Sequence, residues 1–100
     1  MLHCIIESMR KELDAAECYY AKGIYYKDEQ MNVATVYFDI ATQELEHFNK
    51  FHALGVSVLT RMKNEGSSEI DSEKIIWDYE HDKLIRIYEE LKYKISKLNA

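Results

Sequence analysis

The chain has 100 residues, a formal charge of -5 and 47% hydrophobic residues, with three glycines and no proline. This composition predicts long helices, because the two residues that commonly break helices are nearly absent. It argues against a nucleic-acid-binding protein, since 18 acidic residues outnumber 13 basic ones and no basic block is present to neutralise phosphates. A membrane span needs about 20 consecutive apolar residues, and the sequence contains no such run. We therefore expect an all-α protein that binds neither nucleic acid nor membranes.

The cysteines and the first residues bear on the compartment. Cys4 and Cys18 are fourteen residues apart and lack the CxxC spacing of zinc ribbons and redox pairs. We expect both to be reduced thiols with a structural role, as in a reducing compartment. Residues 1–3 lead directly into amphipathic sequence, without the pattern of a signal peptide. The protein is therefore expected to be cytoplasmic.

The first predicted helix spans about residues 2–27. Its seam, the stripe of positions that recur every three or four residues, is apolar except at Glu12. The apolar or small seam residues are Ile5, Met9, Ala16, Tyr19, Gly23 and Tyr26. Residues 28–32 are polar and include good capping residues. They predict a turn, so the next helix should return antiparallel to the first.

The second predicted helix spans about residues 32–63 and has the strongest pattern. Its seam positions are spaced alternately by four and three residues, which is typical of an antiparallel bundle. They are Val33, Tyr37, Ile40, Glu44, His47, Phe51, Leu54 and Val58. Residues 64–68 contain a glycine and two serines and predict a loop.

The third predicted helix spans about residues 70–98, with Asp71 and Ser72 as candidate caps. Its seam consists of Trp77, Glu80, Leu84, Ile87, Leu91 and Leu98. No linker or repeat separates the helices, so residues 1–100 are expected to form a single domain. A chain of this size cannot cover every apolar stripe of such long helices. We therefore predict a homodimer or higher homo-oligomer, in which two hairpins form a four-helix bundle.

Two glutamates and one histidine interrupt the apolar seams of the first two predicted helices. Glu44 and His47 are three residues apart, so their side chains differ in direction by about 300° and project from one helix face. An ionised carboxylate on an apolar seam costs several kcal/mol unless it is paired or bound to a cation. Glu12 interrupts the first seam in the same way. The three residues are therefore candidate metal ligands.

These candidate ligands should also lie at one height in the hairpin. The midpoint of positions 12 and 44 is 28 and that of 12 and 47 is 29.5, close to the predicted turn at 28–32. Two copies related by a twofold axis would together supply four carboxylates and two histidines. This is the ligand set of di-iron and di-manganese helical bundles. Iron or manganese suits such mixed ligands, and zinc would also bind.

Residues 11–19, with the sequence KELDAAECY, and residues 43–47, with the sequence QELEH, resemble encapsulated ferritins and the wider rubrerythrin-type ferritin-like superfamily. The resemblance covers roughly the first half of the chain. It implies a ferritin-like four-helix bundle completed by homodimerisation, with a ferroxidase centre of two irons at the interface. Its ligands would be Glu12, Glu44 and His47, with Tyr19 matching a tyrosine near that centre. An encapsulating shell is an alternative partner without support, since no capsule-targeting peptide follows the third predicted helix.

Further residues are expected to support the centre without binding the metal. Tyr19 and Tyr37 share the seams with the ligands and would orient them or donate electrons, the alternative being ordinary packing at a helix interface. If the second and third helices are antiparallel, residues at equal distances from the loop midpoint at position 66 should lie side by side. Positions 52 and 80 are such a pair, so Glu80 should lie near His52. We therefore predict that Glu80 hydrogen-bonds His52 or His81 and closes one end of the site, with a surface ion pair as the alternative.

Two functions from different classes follow from this pattern. The first is a di-iron oxidoreductase that oxidises Fe(II) with oxygen or peroxide, and so acts as a ferroxidase in iron handling or protects against oxidative stress. The second is a non-catalytic structural or interaction protein that binds zinc, or no metal, at the same position. Turnover of iron distinguishes the two.

Overall fold

A computed structural model describes residues 1–98 as three long helices. They are α1 (Leu2–Tyr26), α2 (Met31–Asn64) and α3 (Ile70–Lys97), and the described residues contain no strand. The all-α prediction is therefore confirmed, and each helix begins and ends within one residue of the expected position. None of the helices in the described part of the chain combines the length and hydrophobicity that a membrane crossing requires.

The first two helices form an antiparallel hairpin. At one end, the Arg61 guanidinium lies 3.9 Å from the sulfur of Met1. At the other end, the rings of Tyr26 and Tyr37 stack with their centroids 5.9 Å apart. These contacts join the start of α1 to the end of α2, and the end of α1 to the start of α2. The result is an elongated molecule with extents of 56 × 19 × 17 Å.

The third helix packs along one side of this hairpin, antiparallel to α2. The side-chain amide of Asn49 donates a hydrogen bond of 2.8 Å to the hydroxyl oxygen of Tyr88. Nearer the connecting loop, the Trp77 ring lies directly against Gly55, where it occupies the space that a Cβ atom would fill. A side chain at position 55 would hold the two helices apart, so this glycine permits their close approach.

The loop between α2 and α3 stops the second helix through its glycine. Gly66 has a positive φ of 66°, a conformation that glycine adopts without steric cost. Its amide donates to the carbonyl of Lys63, and the Ser67 amide donates to the carbonyl of Met62. This pair of hydrogen bonds is the Schellman motif, which satisfies the last free carbonyls of a helix. The chain can then reverse into α3.

The core lies between the three helices and contains Phe48, Met9 and Leu13, all 1% exposed or less. It corrects the seam predicted for the second helix. The buried residues of α2 are Ala34, Phe38, Ala41, Leu45, Phe48, Gly55 and Val58, so most lie one position after the predicted ones. The third helix contacts both α1 and α2. The core-facing stripe of α2 therefore faces the groove between α1 and α3, and not α1 alone. The predicted seam, except for Val58, is half-buried or exposed.

The expected structural role of the cysteines is also wrong. Cys4 and Cys18 are free thiols, as predicted, but both are exposed on α1. Their positions fall outside the buried stripe of that helix. Neither thiol therefore contributes to the core.

Candidate metal centre

The candidate ligands of α1 and α2 come together half-way along the hairpin. One donor atom from each of Glu12, Glu44 and His47 lies within 4.8 Å of the other two. The Nδ1 atom of His47 is 3.4 Å from Oε2 of Glu12 and 3.7 Å from Oε2 of Glu44. The antiparallel hairpin therefore produces the juxtaposition that the spacing of these residues predicts.

The group is partly exposed to solvent, most of all at His47. The side chains of Glu12 and Glu44 are each 21% exposed, whereas that of His47 is 49% exposed. Oε2 of Glu12 is buried and has no hydrogen-bond partner among residues 1–98. A buried, unpaired carboxylate oxygen is costly, and such atoms normally have a protein, water or ion partner. The arrangement is therefore suited to a cation.

The charges at this site favour the same conclusion. Burial, followed by the neighbouring Glu44 carboxyl, raises the pKa of Glu12 above its ordinary value, and His47 opposes this effect. Desolvation and a second carboxylate both disfavour the ionised form. A divalent cation would remove the repulsion by binding both carboxylates. Two carboxylates and an imidazole suit iron, manganese or zinc.

The face of the hairpin that carries the group is not covered by α3. We call it the open face and define it by Glu12, Glu44, His47, Phe51 and Leu54. A groove of about 510 Å³ runs over it, between the ligands and the apolar side chains of the next two turns. Leu54 is 48% exposed at its edge. The open face therefore combines metal-ligand chemistry with uncovered apolar surface.

Tyrosine rings continue this face towards the hairpin turn. The Tyr19 and Tyr37 rings stack at a centroid distance of 6.2 Å, and Lys22 lies 5.6 Å and 5.8 Å from their respective centroids. Each tyrosine is seven residues from a glutamate of the site, which corresponds to about 10 Å along a helix. Among the described residues, neither hydroxyl has a hydrogen bond to Glu12 or Glu44. Their predicted role near the metal stays a prediction.

The predicted closure of the site by Glu80 is wrong. Glu80 accepts a hydrogen bond of 2.7 Å from the Arg10 guanidinium, which joins α3 to α1. His52 and His81 instead bond each other. His52 follows His47 by five residues, so it points about 140° away around the helix. The two histidines and Glu80 thus lie on the α3 side of the hairpin, and not beside the open face.

Sequence reasoning also missed two residues near these groups. Arg10, which binds Glu80, lies off the predicted seam of the first helix, and only the tertiary arrangement identifies its partner. Lys50 lines the groove on the open face, three residues after His47. Its helical spacing from His47 was the signal that could have identified it.

Protein-family models, curated proteins and solved structures were compared with this chain, and none matches it. The resemblance to encapsulated ferritins and rubrerythrin-type proteins therefore depends on residues 11–19 and 43–47 alone. Membership of the ferritin-like superfamily, the second copy and the metal all stay predictions.

Proposed function

We propose that two copies of this chain form a di-iron carboxylate protein that oxidises Fe(II) with oxygen or peroxide. The observation that carries the proposal is the buried Oε2 atom of Glu12, which accepts no hydrogen bond from the described residues and is held beside Glu44 and His47 on the open face. A cation is the partner that best offsets two clustered carboxylates. The activity would be that of a ferroxidase, in iron handling or oxidative-stress protection.

Each residue of the chain has a distinct part in this proposal. Glu12 and Glu44 supply the negative charge that binds the metal, and His47 supplies a neutral imidazole nitrogen. Oxygen or peroxide would be the oxidant, and bound Fe(II) would supply the electrons that reduce it, one from each ion, which these side chains cannot do. Phe51 and Leu54 lie over the same groove and would exclude water once a partner covers them.

A second copy is proposed because one hairpin offers too few ligands for two metal ions. A twofold axis across the open face would bring a second set of Glu12, Glu44 and His47 to the first. The same contact would bury Leu54, which is exposed in the single chain, and the uncovered part of half-buried Phe51. In this arrangement α3 of each copy stays on the outer side, because it packs on the other side of the hairpin. Tyr19 and Tyr37 would adjoin the shared centre as candidate electron donors.

Anaerobic Fe(II) titration of the metal-free protein tests the proposal. We expect about one iron per chain, hence two per dimer, and a ferric absorption band that develops only after oxygen or peroxide is admitted. Glu44→Ala should lose both signals. Glu46→Ala is the matched control, because Glu46 is exposed on the same helix and lies outside the group.

The result also separates iron oxidation from the second candidate function. A non-catalytic protein that binds zinc at the same residues is favoured by one observation, the 49% exposure of the His47 side chain. Such an open site does not by itself keep water from a reactive metal. Zinc binding that Glu44→Ala weakens, without iron oxidation by the wild type, would favour this alternative. Absence of any metal binding by the wild-type chain would overturn both proposed uses of the metal and leave a non-catalytic protein that binds no metal.

A further inference from the structure

A second pair of metal-binding side chains lies where α2 meets α3. The Nε2 atoms of His52 and His81 are 2.8 Å apart, so one ring donates its proton to the other. Both rings are half-buried, and Trp77 packs against each, with centroid distances of 5.8 Å to His52 and 5.5 Å to His81. Packing on Trp77 therefore holds the two nitrogen atoms at one point between the helices.

Imidazole nitrogen is a common metal ligand, and in this pair a proton lies between the two Nε2 atoms, where a metal site would hold a cation. The Nδ1 atom of His81 lies 3.4 Å from a carboxylate oxygen of Asp82. A carboxylate at Nδ1 places the proton there and leaves the lone pair on Nε2, as in many histidine ligands of zinc. Burial, together with the charge of His81, lowers the pKa of His52. The neutral form of His52, which binds metals, is therefore favoured.

The 2.8 Å separation of the two Nε2 atoms is close to the distance between two histidine nitrogens that bind one zinc ion. With zinc–nitrogen distances of about 2.0–2.1 Å and tetrahedral angles, two imidazole nitrogens lie about 3.3–3.4 Å apart. The rings would have to separate by roughly 0.5 Å, and the proton on Nε2 of His52 would move through solvent to Nδ1 of the same ring, so that both Nε2 atoms offer a lone pair to zinc. Small changes of side-chain torsion in two half-buried rings can supply such a movement.

Other charged groups near the pair are already engaged. Glu80, beside His81, is bound to Arg10 of α1. Asp78, one turn earlier on α3, is bound to Lys74. The Asp82 side chain is 80% exposed and faces Nδ1 of His81, on the far side of the ring from Nε2. A cation between the rings would therefore have two protein ligands and complete its coordination with water.

We propose that His52 and His81 form a second metal site, which binds Zn(II) and links α2 to α3 independently of the Glu12–Glu44–His47 group. Imidazole nitrogen is a preferred ligand of zinc. Because the site would contain ligands from two helices, zinc should stabilise their contact. Two protein ligands should give weaker binding than a closed structural site with four.

Zinc titration of the full-length Glu44→Ala variant, stripped of metal with a chelator, isolates this site from the proposed iron centre. We expect one zinc per chain to bind this variant, and His81→Asn in the same background to weaken that binding at least tenfold. His3→Asn is the matched control, because His3 is an exposed histidine on α1. Unchanged zinc affinity in the His81→Asn variant would overturn the proposal.

A second measurement does not depend on whether the histidine variant folds. Imidazole nitrogen resonances of the Glu44→Ala protein should show Nε2 of both His52 and His81 shifting together as Zn(II) is added. Resonances of His3 should stay unchanged. If zinc leaves the His52 and His81 resonances where they are, the pair is a hydrogen bond between helices and not a metal site. Either result leaves the iron proposal to be decided by its own titration.

Discussion

Replacing Glu12 with glutamine should stabilise the metal-free protein, although it removes a proposed ligand. The carboxylates of Glu12 and Glu44 offer oxygens within 4.8 Å of each other. Two unit charges at that separation repel by about 0.9 kcal/mol in water and by about 3.5 kcal/mol at an effective dielectric constant of 20. His47, which acts to lower the pKa of Glu12, relieves part of this repulsion. We therefore expect Glu12→Gln to raise the free energy of unfolding by about 1 kcal/mol.

Thermal unfolding followed by circular dichroism, with a chelator at pH 7.5, measures this gain. For a domain of this size, 1 kcal/mol corresponds to a rise in Tm of about 4–8 °C. Glu46→Gln is the control, because it removes the same charge from an exposed position on α2. Excess Fe(II), added without oxygen in place of the chelator, should then stabilise the wild type by mass action. It should have a much smaller effect on Glu12→Gln.

The pH dependence of the free energy of unfolding shows independently whether the charge of Glu12 causes the difference. The folded-state pKa of Glu12 is raised above its ordinary value of 4.5. The unfolded chain therefore releases this proton first, and the wild type loses stability as pH rises through 4.5 towards the folded-state pKa. The advantage of Glu12→Gln should be full above that range and disappear below it. A variant that is no more stable than Glu46→Gln in chelator at pH 7.5 would refute the reasoning.

Three further predictions concern the contact of α3 with the hairpin. Gly55→Ala should lower the free energy of unfolding in urea by about 1–2 kcal/mol, because overlap with Trp77 outweighs the gain in helix propensity; an unchanged or higher value would contradict the close packing. Gly66→Ala should cost about 1 kcal/mol in the same assay through its positive φ alone, since no atom lies within 4 Å of the added methyl group, and Gly66→Asn should cost less. Because the pKa of His52 is lowered in the folded state by burial and by His81, the metal-free protein should lose stability as pH falls below 6.5; a smaller loss in His52→Gln would identify this residue as the cause, and an equal loss would exclude it.

The helices and the contact of Glu12 with Glu44 and His47 could be predicted because both depend on local spacing. With no proline and few glycines, each amphipathic segment continues until a polar turn ends it. In an antiparallel hairpin, residues equidistant from the turn lie side by side. Glu12 therefore comes to lie next to Glu44 and His47 whatever the third helix does. The distances of these three residues from the turn, counted in sequence, therefore predict their contact.

The position of α3 could not be predicted in the same way. Its rotation depends on shape, because the Trp77 ring fits against α2 only where Gly55 leaves room. The periodicity of apolar residues does not show which small residue of a helix leaves room for a ring of another helix. The same limit explains the errors about the α2 seam and about Glu80. Arg10 and Glu80 are 70 residues apart in sequence, and only the docked helix brings them together.

Trp77 is the only tryptophan of the chain and lies against His52, His81 and Gly55. Its fluorescence therefore reports on a single place, the junction of α2 and α3. A protonated imidazole quenches indole emission, so the intensity should follow the titration of His52, whose pKa is lowered by burial and by His81. The proposed binding of iron at the open face, on the other side of the hairpin, would be followed by absorbance instead. The molecule thus carries separate optical signals for its two faces, and neither requires an added label.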